Sequence, residues 1–448
     1  MGNAVAADSG VGLDVGAVID SGPFSAFQKR AVALAALGFA VDGLANQVLG
    51  VAIPALIADW HASRAAFAPI AAAGLLGVAL GTAAGGLLGD RFGRRAGLIF
   101  SVLLFGLLTA AASQSTGPGM LMWLRFGAGL GIGGAIPNGA ALIADFTPAR
   151  RRSMAIALGM VFIPVGAVLA GIIGAWVLAG AGWRGLFLIT GAAPIALAVV
   201  LFAVLPESPR FLARSPARRE RLQRTMARLG HVAAYEAPFV ENSPQSARTP
   251  LSALFGATIR WDTLALWSAF FFCFLAMYSM LSWVPAMLAS RGFPAAAASL
   301  GITGFNIGGM TGGVLGGWSI ERLGSRRAIL WISGAGVLGA VALGLLSFDP
   351  SAGLAAPVAA LAIEGVLMCV LQNGVYTLAA HVYPPFVRAT GVGAAAAVGR
   401  IGAVLSSFTA VIALQVGGAS SYFLIIAAAL ALSVGSIALI GRQIARSA

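Results

Sequence analysis

Residues 86–95 read GLLGDRFGRR, and residues 317–327 read GWSIERLGSRR. In both stretches an acid, an arginine, a glycine and a pair of arginines follow a long apolar run in the same order. A second correspondence supports the repeat, because an arginine precedes a Gly-Ala-Val triplet by the same distance at Arg152 and at Arg388. The sequence therefore predicts two similar halves, an arrangement typical of membrane proteins built from parallel repeats.

The apolar runs are long enough to cross a membrane. The 448-residue chain is 59% hydrophobic and 10% charged, with a mean hydropathy of +0.92. A soluble domain cannot keep that much apolar surface from water, whereas a bilayer solvates it, and a spanning helix needs about 20 apolar residues. Twelve such runs are predicted, at residues 31–57, 65–89, 96–114, 119–144, 153–180, 185–205, 262–289, 295–320, 328–348, 354–380, 389–415 and 420–441. The predicted fold class is an all-α membrane protein with twelve transmembrane helices in two six-helix, pseudo-symmetric bundles.

The net charge of +13 follows the predicted topology. Only Arg64, Arg184 and Arg291 fall in predicted outer loops, and Arg125 and Arg400 lie within spans, while the other basic residues face the cytoplasm. This asymmetry is the positive-inside rule, so we expect a multi-pass inner (plasma) membrane protein with both termini cytoplasmic. The same distribution argues against nucleic-acid binding.

The predicted spans divide the chain into five parts. They are a cytoplasmic tail at 1–30, an N-terminal six-helix bundle at 31–205, a cytoplasmic linker loop at 206–261, a C-terminal six-helix bundle at 262–441 and a second cytoplasmic tail at 442–448. The first tail lacks a basic start followed by an apolar run, so we expect a loose tail rather than a signal peptide. The linker is rich in Arg, Pro and Ser, which indicates a surface segment with one short amphipathic helix. We expect a monomer.

Four ionisable residues lie inside predicted spans, where a charge costs about 2.5–3.5 kcal/mol on insertion scales and must face a cavity or a partner. Asp42 is predicted to carry a proton; the alternative is a structural partner for an arginine. Arg125 is a candidate for proton coupling, because it must find an anion, either a helix acid whose proton affinity it tunes or a ligand. Arg400 can hold a carboxylate through its planar fork, or it forms a permanent ion pair with Glu364. Glu364 is otherwise a second proton site, or it points toward the outer headgroups.

Uncharged side chains inside the spans are candidates for reading a ring and its substituents. The polar candidates for binding a ring hydroxyl are Asn46, Gln47, Asn306, Gln372 and Asn373. The aromatic candidates for stacking on a ring are Phe39, Tyr278, Trp283, Phe305 and Tyr376, and core packing is the alternative for each of them.

The repeated stretch also has a mechanical interpretation. The candidate gating residues lie in this loop, in its repeat or at the end of the fourth span, and they are Gly86, Asp90, Arg91, Gly93, Arg94, Asp145, Glu321 and Arg322. Gly86 and Gly93 are predicted to permit a tight turn and a close approach of helices. The charged members are expected to form a network with helix ends of the other half, which would hold one side shut until ligand and proton shift the balance. The alternative is that they only anchor the loop.

These motifs resemble known families over nearly the whole chain apart from the tails and the central loop. GLLGDRFGRR at 86–95 resembles the signature loop of the major facilitator superfamily, and LMWLRFGAGLGIGG at 121–134 resembles its fourth-helix motif. Further segments resemble the aromatic acid:proton symporter family, and they are DGLANQ at 42–47, GWR at 182–184, LPESPR at 205–210, RATGVG at 388–393 and GRIG at 399–402. The LPESPR element also occurs in sugar porters.

The resemblance implies a proton-coupled symporter that imports an aromatic carboxylate such as a hydroxybenzoate or benzoate. It favours pairing of Arg125 with a helix acid. The expected partners are the small aromatic acid, protons and the lipid bilayer, and we expect no cofactor and no metal because the proton gradient supplies the energy. The alternatives are a superfamily transporter of another organic acid, a sugar or a drug, including by efflux, and a membrane sensor that binds aromatic acids without moving them. An enzyme is not expected, because the sequence has no metal-ligand set, nucleophile triad or phosphate loop.

One position departs from the family. The pattern in the first helix resembles Asp-Gly-Phe-Asp, and the second acid is replaced by Ala45 here. The loss of one titratable group leaves the proton stoichiometry and the identity of the substrate open.

Overall fold

A computed structural model describes residues 13–229, 239–240, 251–256, 259–346, 348–384 and 387–444. The helices are α1 (Val15–Ser21), α2 (Ala26–Trp60), α3 (Ala68–Phe92), α4 (Arg94–Ala112), α5 (Pro118–Phe146), α6 (Ala149–Met160), α7 (Phe162–Gly180), α8 (Gly182–Val204), α9 (Pro209–Ala213), α10 (Arg219–Arg228), α11 (Arg260–Ser290), α12 (Ala295–Leu323), α13 (Ser325–Leu345), α14 (Ala355–Val382) and α15 (Arg388–Ala438). Two short strands, β1 (Leu13–Asp14) and β2 (Phe239–Val240), pair in parallel.

The helices account for the twelve predicted spans. Ten helical segments of the described residues have the length and apolar composition to cross a membrane, with α6 and α7 forming one of them. The last of the ten, Thr390–Ala438, leaves the helical region at Gly417 and Gly418 and so consists of two spans. The twelfth span is α12, which is 29 residues long and packs against α7 and α14. The predicted fold class is confirmed, and the protein is a multi-pass membrane protein.

The two halves repeat each other in their packing. In the first half α3 packs along α5, and in the second half α12 packs along α14 at the corresponding position. Both contacts are backbone-close, since a Cβ on Gly81 would lie 2.2 Å from the Leu130 carbonyl oxygen and one on Gly308 would lie 1.8 Å from that of Ala362. Small residues at such contacts let membrane helices approach closely, which replaces the hydrophobic driving force that lipid does not supply.

The two ends of the bundles differ. The loop end carries residues 86–95, and there the backbone N–H of Arg95 donates to the Glu207 carboxylate. At the opposite, far end the Trp60 ring stacks on Phe67 with centroids 6.1 Å apart and meets Trp183 edge-on at 5.4 Å. These contacts define which helix termini lie together on each side of the molecule.

Hydrogen bonds join the two halves in the part of the molecule toward the far end. The Gln47 side-chain amide of α2 donates to the Leu281 carbonyl of α11 at 2.6 Å. The Ser299 hydroxyl of α12 donates to the Gly171 carbonyl of α7 at 3.0 Å. The halves are therefore held together between their midpoints and the far end.

The predicted loose tail is wrong for residues 13–25. Val15 and Ile19 of α1 are buried in the same apolar cluster as Leu212 and Met226 of the linker. Asp20 accepts hydrogen bonds from the N-terminus of α6, which fixes α1 on the loop end. An apolar pair one helical turn apart gave this segment a face to bury, and residues 1–12 lie outside the described range.

Candidate functional site

Helix α2 places Asp42 near its middle. The residue is 3% exposed, and its Oδ1 has no hydrogen-bond partner in the described part of the chain. Its charged neighbour is Arg400 of α15, which lies in the other half and interacts with it electrostatically. The structure thus brings two of the predicted site residues together across the interface between the halves.

Arg400 is surrounded by aromatic side chains. Its Nη1 donates a hydrogen bond of 2.8 Å to the Tyr278 hydroxyl. The guanidinium carbon lies 5.8 Å from the Phe274 ring centroid and 5.9 Å from that of Tyr278, and these two rings stack on each other. Tyr376 of α14 also interacts with Arg400 and packs against Phe270 with centroids 4.9 Å apart. Tyr278 is partly exposed and Tyr376 is exposed, so these two rings offer a surface for an aromatic ligand, whereas Phe270 and Phe274 are at most 2% exposed and pack behind them.

Arg125 of α5 has a different environment. It is 4% exposed, and its Nη2 donates to the Thr109 hydroxyl at 2.7 Å while its Nη1 donates to the Ala45 carbonyl at 3.3 Å. Its guanidinium carbon lies 5.4 Å from the Phe187 ring centroid. Within the described residues no acid pairs with it, so the ion pair with a helix acid that the family resemblance implied is not present.

A cleft lies between the halves, and Arg125 and Tyr278 both line it. Both halves contribute to its wall. The wall includes Ala45, Asn46, Gly74, Arg125, Tyr278 and Ser282. Asn46 is exposed to this space, as a residue that reads a ligand must be.

Glu364 lies away from this cluster. It is 1% exposed on α14, and neither carboxylate oxygen has a hydrogen-bond partner among the described residues. A Cβ on Gly339 of α13 would lie 2.4 Å from its Oε2, so the side chain points toward α13. Arg400 interacts with Tyr278 and Asp42 instead, so the alternative of a permanent ion pair between Arg400 and Glu364 is not present among the described residues.

Several uncharged candidates are occupied by structural contacts. Gln47 holds the two halves together, and the Asn306 amide donates to the Ile302 carbonyl of its own helix. Phe39, Trp283 and Phe305 are at most 2% exposed and pack in the core. On α14, Gln372 is half-buried and Asn373 is exposed, and the Asn373 amide faces Cys369 one turn earlier.

The loop at 86–95 and Asp145 form part of the predicted charge network, with partners in their own half and in the linker. Asp90 pairs with Arg94 and lies 3.9 Å from the Arg214 guanidinium, while Arg91 is exposed. The Asp145 carboxylate accepts from the Ser208 hydroxyl at 2.6 Å and lies 3.7 Å from the Arg210 Nε. The expected contact with helix ends of the other half is not present among the described residues in this conformation.

Glu207, which the sequence analysis did not select, lies at the centre of this network. Its carboxylate accepts from the backbone N–H of Arg95 at 3.0 Å and of Ser208 at 2.9 Å. Burial raises the pKa of the Glu207 carboxyl above its ordinary value, although these N–H groups oppose the shift. The signal in the sequence is the LPESPR element at 205–210, which contains Glu207 and carries part of the family resemblance.

The turn itself depends on Gly93, which has a φ of 110° and whose missing Cβ leaves room for the Glu207 carboxylate. The prediction for Gly86 is wrong, because a Cβ there would meet no atom within 4 Å. The close approach is made one position earlier and three later, where Gly85 and Gly89 pack against α5.

Within the described part of the chain, no carboxylate accepts from the backbone of the repeated loop at 317–327 as Glu207 does from that of Arg95. Glu321 and Arg322 are exposed, and the Arg322 guanidinium lies 5.3 Å from the Trp318 ring centroid. Ser325 instead donates to the Gln443 side chain at 2.8 Å and accepts from the backbone N–H of Ile444 at 2.8 Å. The two loops therefore share a sequence pattern but not a set of contacts.

Comparison with known proteins decides the family. The family model described as Major Facilitator Superfamily matches residues 35–407, which span both halves and the cleft between them. The chain belongs to the major facilitator superfamily. The resemblance noted for the signature loop is confirmed.

Two curated members of this superfamily are similar along almost their whole length. A gallate transporter of Pseudomonas putida is 35% identical over 407 residues, which are 90% of each chain. A 4-hydroxybenzoate transporter of Pseudomonas aeruginosa is 33% identical over 412 residues, again 90% of each chain. Both names agree with the narrower resemblance to transporters of aromatic acids.

Among solved structures, the xylose transporter XylE from E. coli in an inward open conformation superposes with a TM-score of 0.72. It is 17% identical, and the match covers 93% of this chain and 97% of that one. At this identity the likeness supports the superfamily fold and nothing more specific.

Proposed function

We propose that this protein is a proton-coupled symporter that imports an aromatic carboxylate, of the hydroxybenzoate or benzoate kind, by alternating access. The observation that carries the proposal is the cluster between the halves, where the partly buried Arg400 lies beside stacked rings and interacts electrostatically with the buried acid Asp42. The names of the relatives support the same substrate class. The proton gradient is the proposed energy source, and no catalysis is assigned to the chain.

Arg400 is proposed to couple the two ligands. Its guanidinium attracts the Asp42 carboxylate in the empty site. Protonation of Asp42 removes that negative charge, so Arg400 then lacks a counter-ion and binds the substrate carboxylate more tightly. Because the coupling between two sites is reciprocal, bound substrate also favours protonation of Asp42.

The aromatic ring of the substrate is proposed to lie against Tyr278 and Tyr376, with Asn46 available to hydrogen-bond a ring substituent. An edge-to-face or offset contact between two rings is worth about 0.5–1.5 kcal/mol beyond the burial of area. These side chains come from both halves, so a rocking motion that separates the halves also takes the site apart and releases the substrate.

The distribution of charge supports an orientation with the loop end in the cytoplasm of a cell with this protein in its inner membrane. On that assignment both termini are cytoplasmic, and residues 31–205 and 262–441 form the two bundles, joined by the linker at 206–261. The halves are joined toward the outer side by Gln47 and Ser299, and the network around Asp90, Asp145 and Glu207 is proposed to act when the cytoplasmic ends approach each other. A monomer suffices for this cycle.

Uptake into proteoliposomes tests the proposal. Purified protein is reconstituted, a pH gradient (acid outside) is imposed, and accumulation of radiolabelled benzoate, 4-hydroxybenzoate, gallate and xylose is measured. We expect accumulation of at least one aromatic acid above its equilibrium level, abolished by a protonophore. Accumulation of xylose instead would contradict the substrate class, binding without any accumulation would favour a sensor, and loss of preloaded acid against its gradient would favour efflux.

A further inference from the structure

Arg125 is a buried cation that has no counter-ion among the residues that the structure describes. Its hydrogen-bond acceptors are a hydroxyl of Thr109 and a peptide carbonyl of Ala45, and its Nε has no acceptor in the described part of the chain. A guanidinium does not give up its proton in a protein, so the positive charge remains. Neutral dipoles satisfy such a charge only in part, and the position is therefore attractive to an anion.

The guanidinium lies where an anion can reach it. Arg125 lines the cleft together with Ala45 and Tyr278, and the Tyr278 hydroxyl is held by Arg400. A ligand in the cleft can therefore contact Arg125 directly. It can also contact Tyr278, whose hydroxyl accepts a hydrogen bond from Arg400. Of the two arginines within the spans, Arg400 already interacts with an acid, whereas Arg125 has none among the described residues.

Residue 45 is an alanine, so it contributes no negative charge beside the Arg125 guanidinium. The Ala45 carbonyl oxygen accepts a hydrogen bond from the Arg125 Nη1 at 3.3 Å, so the backbone of residue 45 contacts the guanidinium. A methyl group cannot neutralise the arginine, whereas a carboxylate at this position would. The alanine leaves the charge available to a bound ligand.

We propose that Arg125 is a second anion site in the cleft, distinct from the Asp42–Arg400 pair. The anion is either the second carboxylate of an aromatic dicarboxylate or a chloride ion that accompanies a monocarboxylate. The dicarboxylate arm rests on the proposed function, and the chloride arm does not.

The test compares wild type with Ala45→Asp, which supplies a resident carboxylate, and with Ala45→Asn, which has the same shape without the charge. Binding of benzoate and of the three benzenedicarboxylates to the purified full-length protein is measured by calorimetry in chloride-free buffer. Thermal unfolding is measured without any aromatic acid, in chloride and in isethionate. A bound ion stabilises the folded protein by mass action, so its effect on Tm is independent of transport.

If a second carboxylate occupies the site, wild type and Ala45→Asn bind one benzenedicarboxylate about 10- to 150-fold more tightly than benzoate, as expected for one charge-assisted contact. Ala45→Asp loses that preference. If chloride occupies the site, chloride raises the Tm of wild type and Ala45→Asn but not that of Ala45→Asp. Each of these results supports the anion site and identifies its occupant.

Equal affinity for benzoate and the dicarboxylates, together with a Tm that does not respond to chloride, overturns the proposal. A preference or chloride effect that persists in a folded Ala45→Asp overturns it as well. Should Ala45→Asp fail to fold, Arg125→Gln takes its place and must lose the same effect. If no aromatic acid binds while chloride still stabilises wild type, the proposed function fails and the anion site stands.

Discussion

Arg400 and Arg125 are both arginines in membrane helices, the first partly buried and the second buried, and their surroundings differ in kind. Arg400 faces a tyrosine hydroxyl, two stacked rings and, across the interface, the carboxyl of Asp42. Arg125 faces a hydroxyl, a peptide carbonyl and one ring, all within its own half. A charge shared between halves changes partners when the halves move, whereas a charge held inside one half keeps its neighbours throughout. This difference is why coupling is assigned to Arg400 and ligand binding alone to Arg125.

Removing the Asp42 carboxylate gives the largest expected effect, because Arg400 then has no acid beside it, as is already the case for Arg125 among the described residues. Asp42→Asn keeps the shape of the side chain but carries no titrating proton, so accumulation driven by a pH gradient should fall to the equilibrium level. Exchange of labelled for unlabelled substrate should persist at least in part, since the substrate contacts remain. Both are measured in the same proteoliposomes.

Asp59→Asn is the matched control for that variant. Asp59 belongs to the same helix but lies at the far end, where it accepts from the Trp183 indole at 3.0 Å. It should accumulate substrate like wild type. If Asp42→Asn also concentrates substrate like wild type, Asp42 is not the proton carrier.

Arg400→Gln is expected to have the next largest effect. A charge-assisted hydrogen bond is worth about 1.5–3 kcal/mol, which corresponds to roughly a 10- to 150-fold loss of affinity for the acid. A neutral amide analogue should bind almost as well as before, and Arg400→Lys should restore only part of the affinity because an ammonium lacks the planar fork. Calorimetric titration of acid and amide measures the difference directly.

The selectivity between acid and amide is the decisive quantity for Arg400. Arg184→Gln serves as control, because its side chain is 54% exposed at the far end and pairs with Asp59. An equal loss for both ligands would make Arg400 a structural residue and would leave Arg125 as the holder of the carboxylate.

The fold was predictable from the sequence because its signals are local and redundant. Each span is an apolar run longer than the membrane is thick, and the repeat of residues 86–95 at 317–327 relates the halves. The boundaries were less accurate where polar residues continue a helix, as at the start of α2, where Ser25 and Gln28 form a capping box. The α1 segment was missed because seven residues give too little pattern to distinguish from a loop.

The site was predictable in composition but not in pairing. Rarity of charge in the spans selected Asp42, Arg125, Glu364 and Arg400, and the structure places three of them around the interface. Glu364 could not be assigned, since the direction in which a buried helix residue points depends on how the helix is rotated against its neighbours. Glu207 was missed because its carboxylate accepts from the backbone N–H of Arg95, which is 112 residues away in the chain.

Glu207 differs from the two arginines in that its partners are mainly backbone groups, the N–H of Arg95 and the N–H of Ser208. Its pKa is raised by burial, so the folded protein binds the proton more tightly than the unfolded chain does. The contribution to stability is fully present below the ordinary pKa of the carboxyl and is lost as pH rises through the folded pKa. The Tm of wild type should therefore fall relative to that of Glu207→Gln as the pH is raised from 4 toward 8.

That pH effect is expected to be smaller than the effects on transport, and thermal unfolding in detergent at several pH values measures it. Glu220→Gln provides the control, because the Glu220 side chain is 76% exposed on α10 and should show no such trend. A difference in Tm that rises with pH would mean that the backbone donors outweigh the cost of burial.

The smallest expected effect is that of the membrane potential, and it follows from the contrast between the two arginines. With Ala45 in place of an acid, Asp42 is the one proton carrier beside the shared arginine, so one proton accompanies one monoanion and the loaded cycle moves no net charge. A potential contributes about 2.3 kcal/mol per charge per 100 mV, so an electrogenic cycle would respond strongly. A potassium diffusion potential imposed at fixed pH gradient should hardly change benzoate uptake.

Strong stimulation by an inside-negative potential would require a second proton and would implicate Glu364. Inhibition confined to a dicarboxylate would mean that a dianion travels with one proton, as occupation of both arginines predicts.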